Sequence, residues 1–473
     1  MAVSCKRAAG ILIGIIVYIL PAGSVLAQEH TIYTLTELVD SARHHLPILL
    51  QKQALLSSAQ AGIMEAKHAW LPKMNVVEEL SIGSANDLAG PFLPAPGVLH
   101  AMAGGITGKN SYQSVAGNLA SLYGEYELVD FGFRSARLAN ARAFADVRRA
   151  DLTRELYMVE WQVGKAYFEI RKARYQLAVD EEDIRRNEAI YTISKALTGT
   201  GINAGVDSSL AKAGLSRAKI SYNQAAANLR QLEQELSYLS GVADPLIEVD
   251  TTGAGISGTM GAVTPDAVGL RREIMAEGNP LEDYYIRQQE QQRTEAVMIG
   301  RSYLPRIVAG AGGWARGSSI QYNNDYRPLE EGLGYQRLNY VAGLGVTYDL
   351  FNGVRRKDKL AEANYQQAAA EYALQQQQLS LRNTALQADE AVRMAEKNLQ
   401  ELPVQMQAAR DAYNQKIAQY KAGIINLVDL TNASFVLYQA QSDYVETLNG
   451  WHMAGLDKAA ATGGLDQFIQ SVK

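Results

Sequence analysis

Gly253-Ala-Gly255-Ile-Ser-Gly258 has the GxGxxG spacing of a loop that cradles phosphate groups. Such a loop needs a strand before it and a helix opening on it, so that the helix N-terminus faces the phosphate. Here no helical pattern opens on the glycines and no βαβ unit surrounds them. The six histidines are His30, His44, His45, His68, His100 and His452. Adjacent residues on a helix point to different faces, so His44 and His45 make a poor metal pair. HExxH, nucleophile-elbow and P-loop spacings are absent from the sequence. No catalytic residue, cofactor or metal is expected, and the chain does not read as an enzyme. Asp429 stands just after a glycine-centred break in a helical pattern. On spacing alone it is a solvated carboxylate near a helix start, favoured by the helix dipole.

The elements around that break occur twice. Gly201 and Gly423 are 222 positions apart, and so are Asp207 and Asp429. Tyr348-Asp-Leu-Phe-Asn-Gly matches Tyr126-Glu-Leu-Val-Asp-Phe at the same offset, followed by Arg356 with Arg134 and Leu360 with Leu138. Upstream, Pro280 to Leu304 repeats the 24-residue spacing of Pro47 to Leu71 at an offset of 233. The 11-residue difference between the offsets falls in the loop between two strands, where a true repeat tolerates it.

Met1 to Ala27 reads as a secretory signal, with Lys6 and Arg7 before the apolar run Ile11 to Leu20 and small residues at its end. The first repeat spans 28–241, with strands at about 73–83 and 115–128 and a hairpin tip near 201. A Gly-rich connector covers 242–264, and Thr264-Pro265 begins a helix. The second repeat spans 265–463, with strands at about 306–315 and 340–350 and a tip near 423. A short tail, 464–473, follows. Each repeat is helix, strand pair, long helix, turn and return helix. Thr34 with Glu37 has the form of a capping box, and Asn279-Pro280 opens a helix. Two shorter helices stacked end to end nearly equal one long helix, so they can lie alongside it.

The composition is globular, with 47% hydrophobic and 20% charged residues. Cys5 lies in the signal segment, so the mature chain has no thiol or disulfide chemistry. Removing Lys6 and Arg7 with that segment takes the net charge from -5 to -7, with no basic stripe for nucleic acid. No apolar run of membrane-spanning length follows residue 27. The strands, however, alternate. Ala120, Leu122, Tyr126 and Leu128 form one apolar face, with Ser121, Tyr123, Glu125 and Glu127 opposite. Tyr340, Ala342, Leu344, Val346, Tyr348 and Leu350 form another. That is the pattern of a strand between lipid and a wet lumen, and also of a half-buried strand in a soluble sheet. Four strands cannot close a membrane barrel, so lipid-facing strands require association.

Tyr420-x-x-Gly423-x-x-x-x-x-Asp429, the Leu71-Pro72 and Leu304-Pro305 steps before strands, Asn279-Pro280, and Tyr348 to Gly353 together resemble the TolC-like outer-membrane channel-tunnel family. The resemblance implies a homotrimer with a twelve-stranded β-barrel in outer-membrane lipid. A long α-helical barrel would continue it through the periplasm, with an equatorial domain at mid-height. It implies an exit duct for small molecules or drugs in a tripartite efflux system, working with a periplasmic adaptor (membrane fusion) protein and an inner-membrane pump or exporter. Asp429 and Asn432 fall where the family narrows its aperture. Asp207 and Tyr420 match a pair linking neighbouring helices in the closed state, with Ile425 where an arginine helps that link. Thr200, Gly201, Ile202, Ala422, Gly423 and Ile424 match the tips that dock the adaptor. Type I protein secretion is the alternative within this class. A soluble periplasmic coiled-coil adaptor is the alternative outside it, disfavoured by the full-length duplication.

Overall fold

The computed structural model describes residues 32–86, 106, 108–199, 205–242, 247–249 and 278–472. The signal segment, the GxGxxG stretch, the helix start at Thr264-Pro265 and the first hairpin tip lie outside these residues. Two residues, Ile32–Tyr33, form β1, and Thr34 caps α1 (Leu35–His45). The Glu37 amide donates to the Thr34 hydroxyl at 3.3 Å, and the Thr34 amide donates to the Glu37 carboxylate at 2.8 Å. Pro47 opens α2 (Pro47–His68), and β2 (Lys73–Gly83) and β3 (Val115–Val129) follow. The long α3 (Phe133–Gly199) returns as α4 (Gly205–Ser240), and Glu248–Val249 forms β4. Asn279 caps α5 (Pro280–Ser302) by accepting from the Leu281 amide at 2.9 Å. The strands β5 (Arg306–Ser318), β6 (Ile320–Gln321), β7 (Asp325–Tyr326) and β8 (Arg337–Thr347) come next. Then α6 (Asn352–Lys421), with Pro403 inside it, turns into α7 (Leu427–Thr462). The residues expected as a tail fold into α8 (Leu465–Ser471), because Leu465 and Ile469 find buried positions in the core.

Helices and strands share one lateral order. The main sheet runs β2-β3-β5-β8, all antiparallel. The helices pack as α2 and α4 on α3, α3 on α5 and α7, and those two on α6. The protomer is thus a ribbon of four columns. Columns one and three are each built from two helices end to end. Gly241 and Gly463, with φ of 68° and 84°, end α4 and α7, the tip-side members of those stacks. Beside the middle of α3, the buried Leu35 and Leu38 of α1 meet Tyr167 and Ile170 of α3, Leu456 of α7 and Leu465 of α8. There β1 pairs in parallel with β4.

The register of the sheet gathers one nearly wholly apolar face. Met74, Val76, Leu80 and Ile82 of β2 share it with Ala120, Leu122 and Tyr126 of β3. Ala309, Ala311 and Ala315 of β5 continue it to Leu338, Tyr340, Ala342, Leu344 and Val346 of β8. These side chains are open to their surroundings: Val76 is 80% exposed, Leu344 74% and Tyr340 90%. The opposite face carries Lys73, Asn75, Glu79, Glu125, Arg316 and Asn339. Two details differ from the sequence expectation. A bulge between Glu127 and Val129 sets Val129, in place of Leu128, on the apolar side opposite Ile307. And β8 overlaps the expected 340–350 but starts and ends three residues earlier; the Asp349 carboxylate accepts from the Phe351 amide at 2.9 Å and turns the chain into α6 before Leu350 can join the strand.

Glu78 and Asn118 are the two charged or amide side chains on the apolar face, and one segment meets both. Tyr335 donates its hydroxyl to Glu78 at 3.0 Å, and Asn118 donates to the Leu333 carbonyl at 2.8 Å. The segment lies so close that a Cβ on Gly317 would overlap the Gly334 carbonyl oxygen, and one on Gly332 the Ala116 carbonyl oxygen. Backbone atoms on both sides leave no room to shift. Gly317→Ala is therefore expected to lift residues 332–335 off the sheet and uncover Asn118. Limited proteolysis should cut this segment at least ten times faster than in the native protein. Equal rates would mean the strap does not depend on Gly317.

Candidate functional site

The tip between α6 and α7 is built by backbone chemistry. Gly423, with φ 70°, takes the left-handed position after α6. Its amide donates to the Tyr420 carbonyl at 3.0 Å, and the Ile424 amide donates to the Gln419 carbonyl at 3.0 Å. That pair of bonds satisfies two carbonyls that the helix end would leave bare. Three residues later Asn426 starts α7 by accepting from the Asp429 amide at 2.9 Å. Glycine is needed for the first step and a short side-chain acceptor for the second.

The sequence-expected residues divide around this turn. Ala422, Gly423 and Ile424 are exposed at the tip, with Ile424 at 72%. Thr200, Gly201 and Ile202 lie outside the described residues. Asp429 and Asn432 are both exposed, on the side of α7 turned away from Leu427, Leu430 and Ser434. Among the described residues no side-chain bond joins Asp429 to a second carboxylate, so a ring of carboxylates would need further copies. Tyr420 is wholly buried in a cluster with Leu427 and Leu430 of α7, Ile190 of α3 and Ala211 of α4. Asp207 is half-buried in the first turn of α4, one turn before Ala211. Asp207 and Tyr420 thus belong to the same level of the bundle. Ile425 packs its side chain against this cluster.

A set of polar links between α3 and α7 escaped the sequence reading. Arg186, 7% exposed at its side chain, donates to Gln441 at 2.9 Å and pairs with Asp183 at 3.3 Å. Tyr438 donates its hydroxyl to the buried Asp180 at 3.0 Å, and Gln176 donates to Asp180 at 3.0 Å and to Ser442 at 3.2 Å. Farther from the tip, Asn449 donates to Glu169 at 3.0 Å and Lys172 pairs with Glu446 at 2.5 Å. Burial holds the Asp183 carboxyl above its ordinary range, and Arg186 offsets part of that rise. Burial and the neighbouring Asp180 carboxylate push the Tyr438 phenol up. The hairpin α6–α7 is thereby tied to the hairpin α3–α4 by groups that cannot separate without losing partners.

His452 stands at the upper end of the same α3–α7 seam. Its ring stacks on Phe168 at 4.9 Å and meets Trp451 edge-on at 4.9 Å. Burial pushes its pKa down to about 3, and the nearby Arg171 adds to the shift. The folded value lies below the unfolded value of roughly 6.5, so the unfolded chain takes up the proton first as pH falls. The stability held by neutral His452 is complete above about pH 6.5 and is lost as pH falls toward 3, at about 1.4 kcal/mol per pH unit. His452→Phe keeps the stack and removes the proton site. Its Tm is expected to fall less steeply than that of the native protein between pH 6.5 and 4. Identical slopes would assign the acid sensitivity to other groups.

Among the described residues no helix is long and apolar enough to cross a membrane, and no group of His, Cys, Asp and Glu could hold a metal ion. The family model described as outer membrane efflux protein matches residues 38–242 and 286–464. No curated protein sequence matches the chain. Among solved structures, the chain is similar to CusC, described in work on conformational changes in folding and transmembrane channel formation. The identity is 14%, the TM-score 0.73, and the match covers 92% of this chain and 93% of that one. It is similar to the outer membrane protein VceC from Vibrio cholerae at 15% identity and TM-score 0.71, covering 91% and 96%. The Campylobacter jejuni CmeC outer membrane channel matches at 16% identity and TM-score 0.71, covering 91% and 86%.

Proposed function

The chain belongs to the outer membrane efflux protein family, and from that premise we propose that it is the passive exit duct of a tripartite efflux system, gated at the α6–α7 tip. Its place is the outer membrane with an extension into the periplasm, and its family comprises efflux channels, not enzymes. The observation that carries the duct reading is the sheet. It has an apolar face open to its surroundings, a polar face opposite, and unpaired edges at β2 and β8 among the described residues. In lipid an open edge costs several kcal/mol per unpaired backbone group. Three four-stranded copies make a closed barrel of twelve strands.

The helical layer supports the same closure. On α6, Tyr365, Tyr372, Leu379 and Leu386 recur every seventh residue and are all exposed. Ala363, Ala370 and Ala388, on the other side of α6, are buried. A heptad seam exposed among the described residues fits the α2–α4 edge of a neighbouring copy. Contact between unlike edges closes into a ring when the rotation is right. The exposed Ala422, Gly423 and Ile424 then present three tips to a periplasmic adaptor, and an inner-membrane pump supplies the energy. Asp429 and Asn432 line the aperture with one carboxylate per chain.

Planar-bilayer recording tests the gate. Native protein should insert as a narrow, mostly closed channel. Replacing Asp207 and Tyr420 together by Ala should raise single-channel conductance several-fold. Unchanged conductance would remove this pair from the gate, and no channel from the native protein would remove the duct.

A further inference from the structure

Column three is made of two helices, and the join between them is hollow. The Asn279 amide donates to the carbonyls of Ala460 and Ala461 at 3.0 and 2.9 Å, pinning the start of α5 to the end of α7. Beside this joint, between the unbroken α3 and α6, lies a cavity of about 430 Å³. The internal repeat explains why it is there. The matching joint in column one, between α2 and α4, is filled by the buried Leu49 and Leu236 with Leu239 packed against them. At the corresponding positions of column three the sequence has Glu282 and Lys458, which are bonded to Gln378 and Asp389 of α6, and Ala461, which lines the cavity. The second copy has lost apolar bulk at the place where two helix ends meet.

The walls of the cavity are apolar and aromatic, from Met158, Trp161, Leu281, Tyr285 and Leu381. The charges at its rim are matched inside the protein. Arg154 pairs with Asp151 at 2.9 Å and lies 4.0 Å over the Tyr284 ring. Asp457 accepts from the Trp161 indole at 2.8 Å and pairs with Lys165 at 3.3 Å, and Glu155 lies 3.7 Å from Lys52. No charge is left over for a charged guest. Gln377, Ser380 and Thr384 of α6 offer an amide and two hydroxyls along one side. A hollow of this size, with apolar walls and a few polar groups, suits a drug-sized molecule.

The cavity also has a defined side. On α3, Val159, Val163 and Ile170 point into the core shared with α1 and α8. Arg154 and Met158 lie half a turn away on the same helix, facing the cavity, and Tyr157 and Trp161 touch both the core and the cavity. A ring that keeps its bore open carries the α1–α8 layer outside, so the cavity opens to the bore. That placement rests on the duct reading, whereas the binding does not.

We propose that this joint is a binding station for a neutral, planar aromatic molecule. N-phenyl-1-naphthylamine is a fitting probe, titrated into the full chain in lipid nanodiscs and read by energy transfer from tryptophan. Saturable binding of one probe per chain is expected. Ala461→Leu restores the bulk of the first copy, and Ser380→Phe fills the hollow from the exposed side of α6. Each should weaken binding at least ten-fold, while Arg382→Ala, outside the cavity, leaves it unchanged. The anionic 8-anilino-1-naphthalenesulfonate should bind at least ten-fold more weakly than the neutral probe. Equal affinity in both filled variants, a signal that does not saturate, or equal binding of the anion would overturn the proposal. Conductance in bilayers is a separate readout: a conducting channel without the site sinks only this inference, and a site on a protein that does not conduct sinks only the duct.

Discussion

Ala342→Arg is expected to abolish assembly in the membrane. Ala342 is at the centre of β8 on the apolar face, between Tyr340 and Leu344 and opposite Ala311. An arginine on the lipid face of a barrel near mid-depth costs about 2–4 kcal/mol. Three copies in one ring carry the cost three times, about 6–12 kcal/mol, which is as large as the whole margin of about 5–15 kcal/mol that holds an ordinary folded state. The neighbouring Val341, opposite Gly312, points the other way. Because side chains alternate with a period of two, Val341→Arg puts the same charge at the same depth on the wet face. Outer-membrane fractions should therefore lack the A342R oligomer and contain the V341R oligomer. Equal recovery of both would mean that the apolar face does not meet lipid.

The second large effect is at the seam between the hairpins. In the gate proposed above, opening the tip takes α7 away from α3, so bonds between them would stabilise the closed state alone. Arg186→Ala removes the bond to Gln441 and the ion pair with Asp183, leaving that half-buried carboxyl with Arg217 as its remaining cation. Tyr438→Phe removes the bond to Asp180. Hydrogen bonds to charged groups contribute about 1.5–3 kcal/mol each. A loss of about 2 kcal/mol shifts a closed–open equilibrium roughly 30-fold. Each variant should raise the open probability of single channels by more than ten-fold, and the double variant should open further. Arg185→Ala is the control, since Arg185 pairs with Glu181 in the open, both more than half exposed. An Arg186→Ala channel gated like the native one would show that α3 and α7 do not separate on opening.

The two results depend on parts of the molecule that were unequally visible in the sequence. Caps and alternation are local, so Thr34 with Glu37, Asn279-Pro280 and the apolar face of β8 could be read directly. The end of β8 could not, because Tyr348 and Leu350 keep the alternation going after Asp349 has turned the backbone. The duplication carried most of the fold, since each break and return in one copy had a counterpart in the other. Asp180, Asp183 and Arg186 went unnoticed for a physical reason. Charged residues three apart on a long helix have the spacing of a solvated face, and only the partners on α7, more than 250 positions away, make them a seam. The strap from Leu333 to Tyr335 was hidden in the same way, because its targets Asn118 and Glu78 are set by register and not by period. Asp429 and Asn432, expected at an aperture, are exposed positions, and an aperture would need copies of the chain that one sequence does not contain.

Native mass spectrometry of protein extracted from outer membranes with mild detergent tests the closure most directly. The account predicts a single assembly of three chains that needs detergent to stay in solution. A folded monomer that is soluble without detergent, its β2 and β8 edges still open, would contradict it.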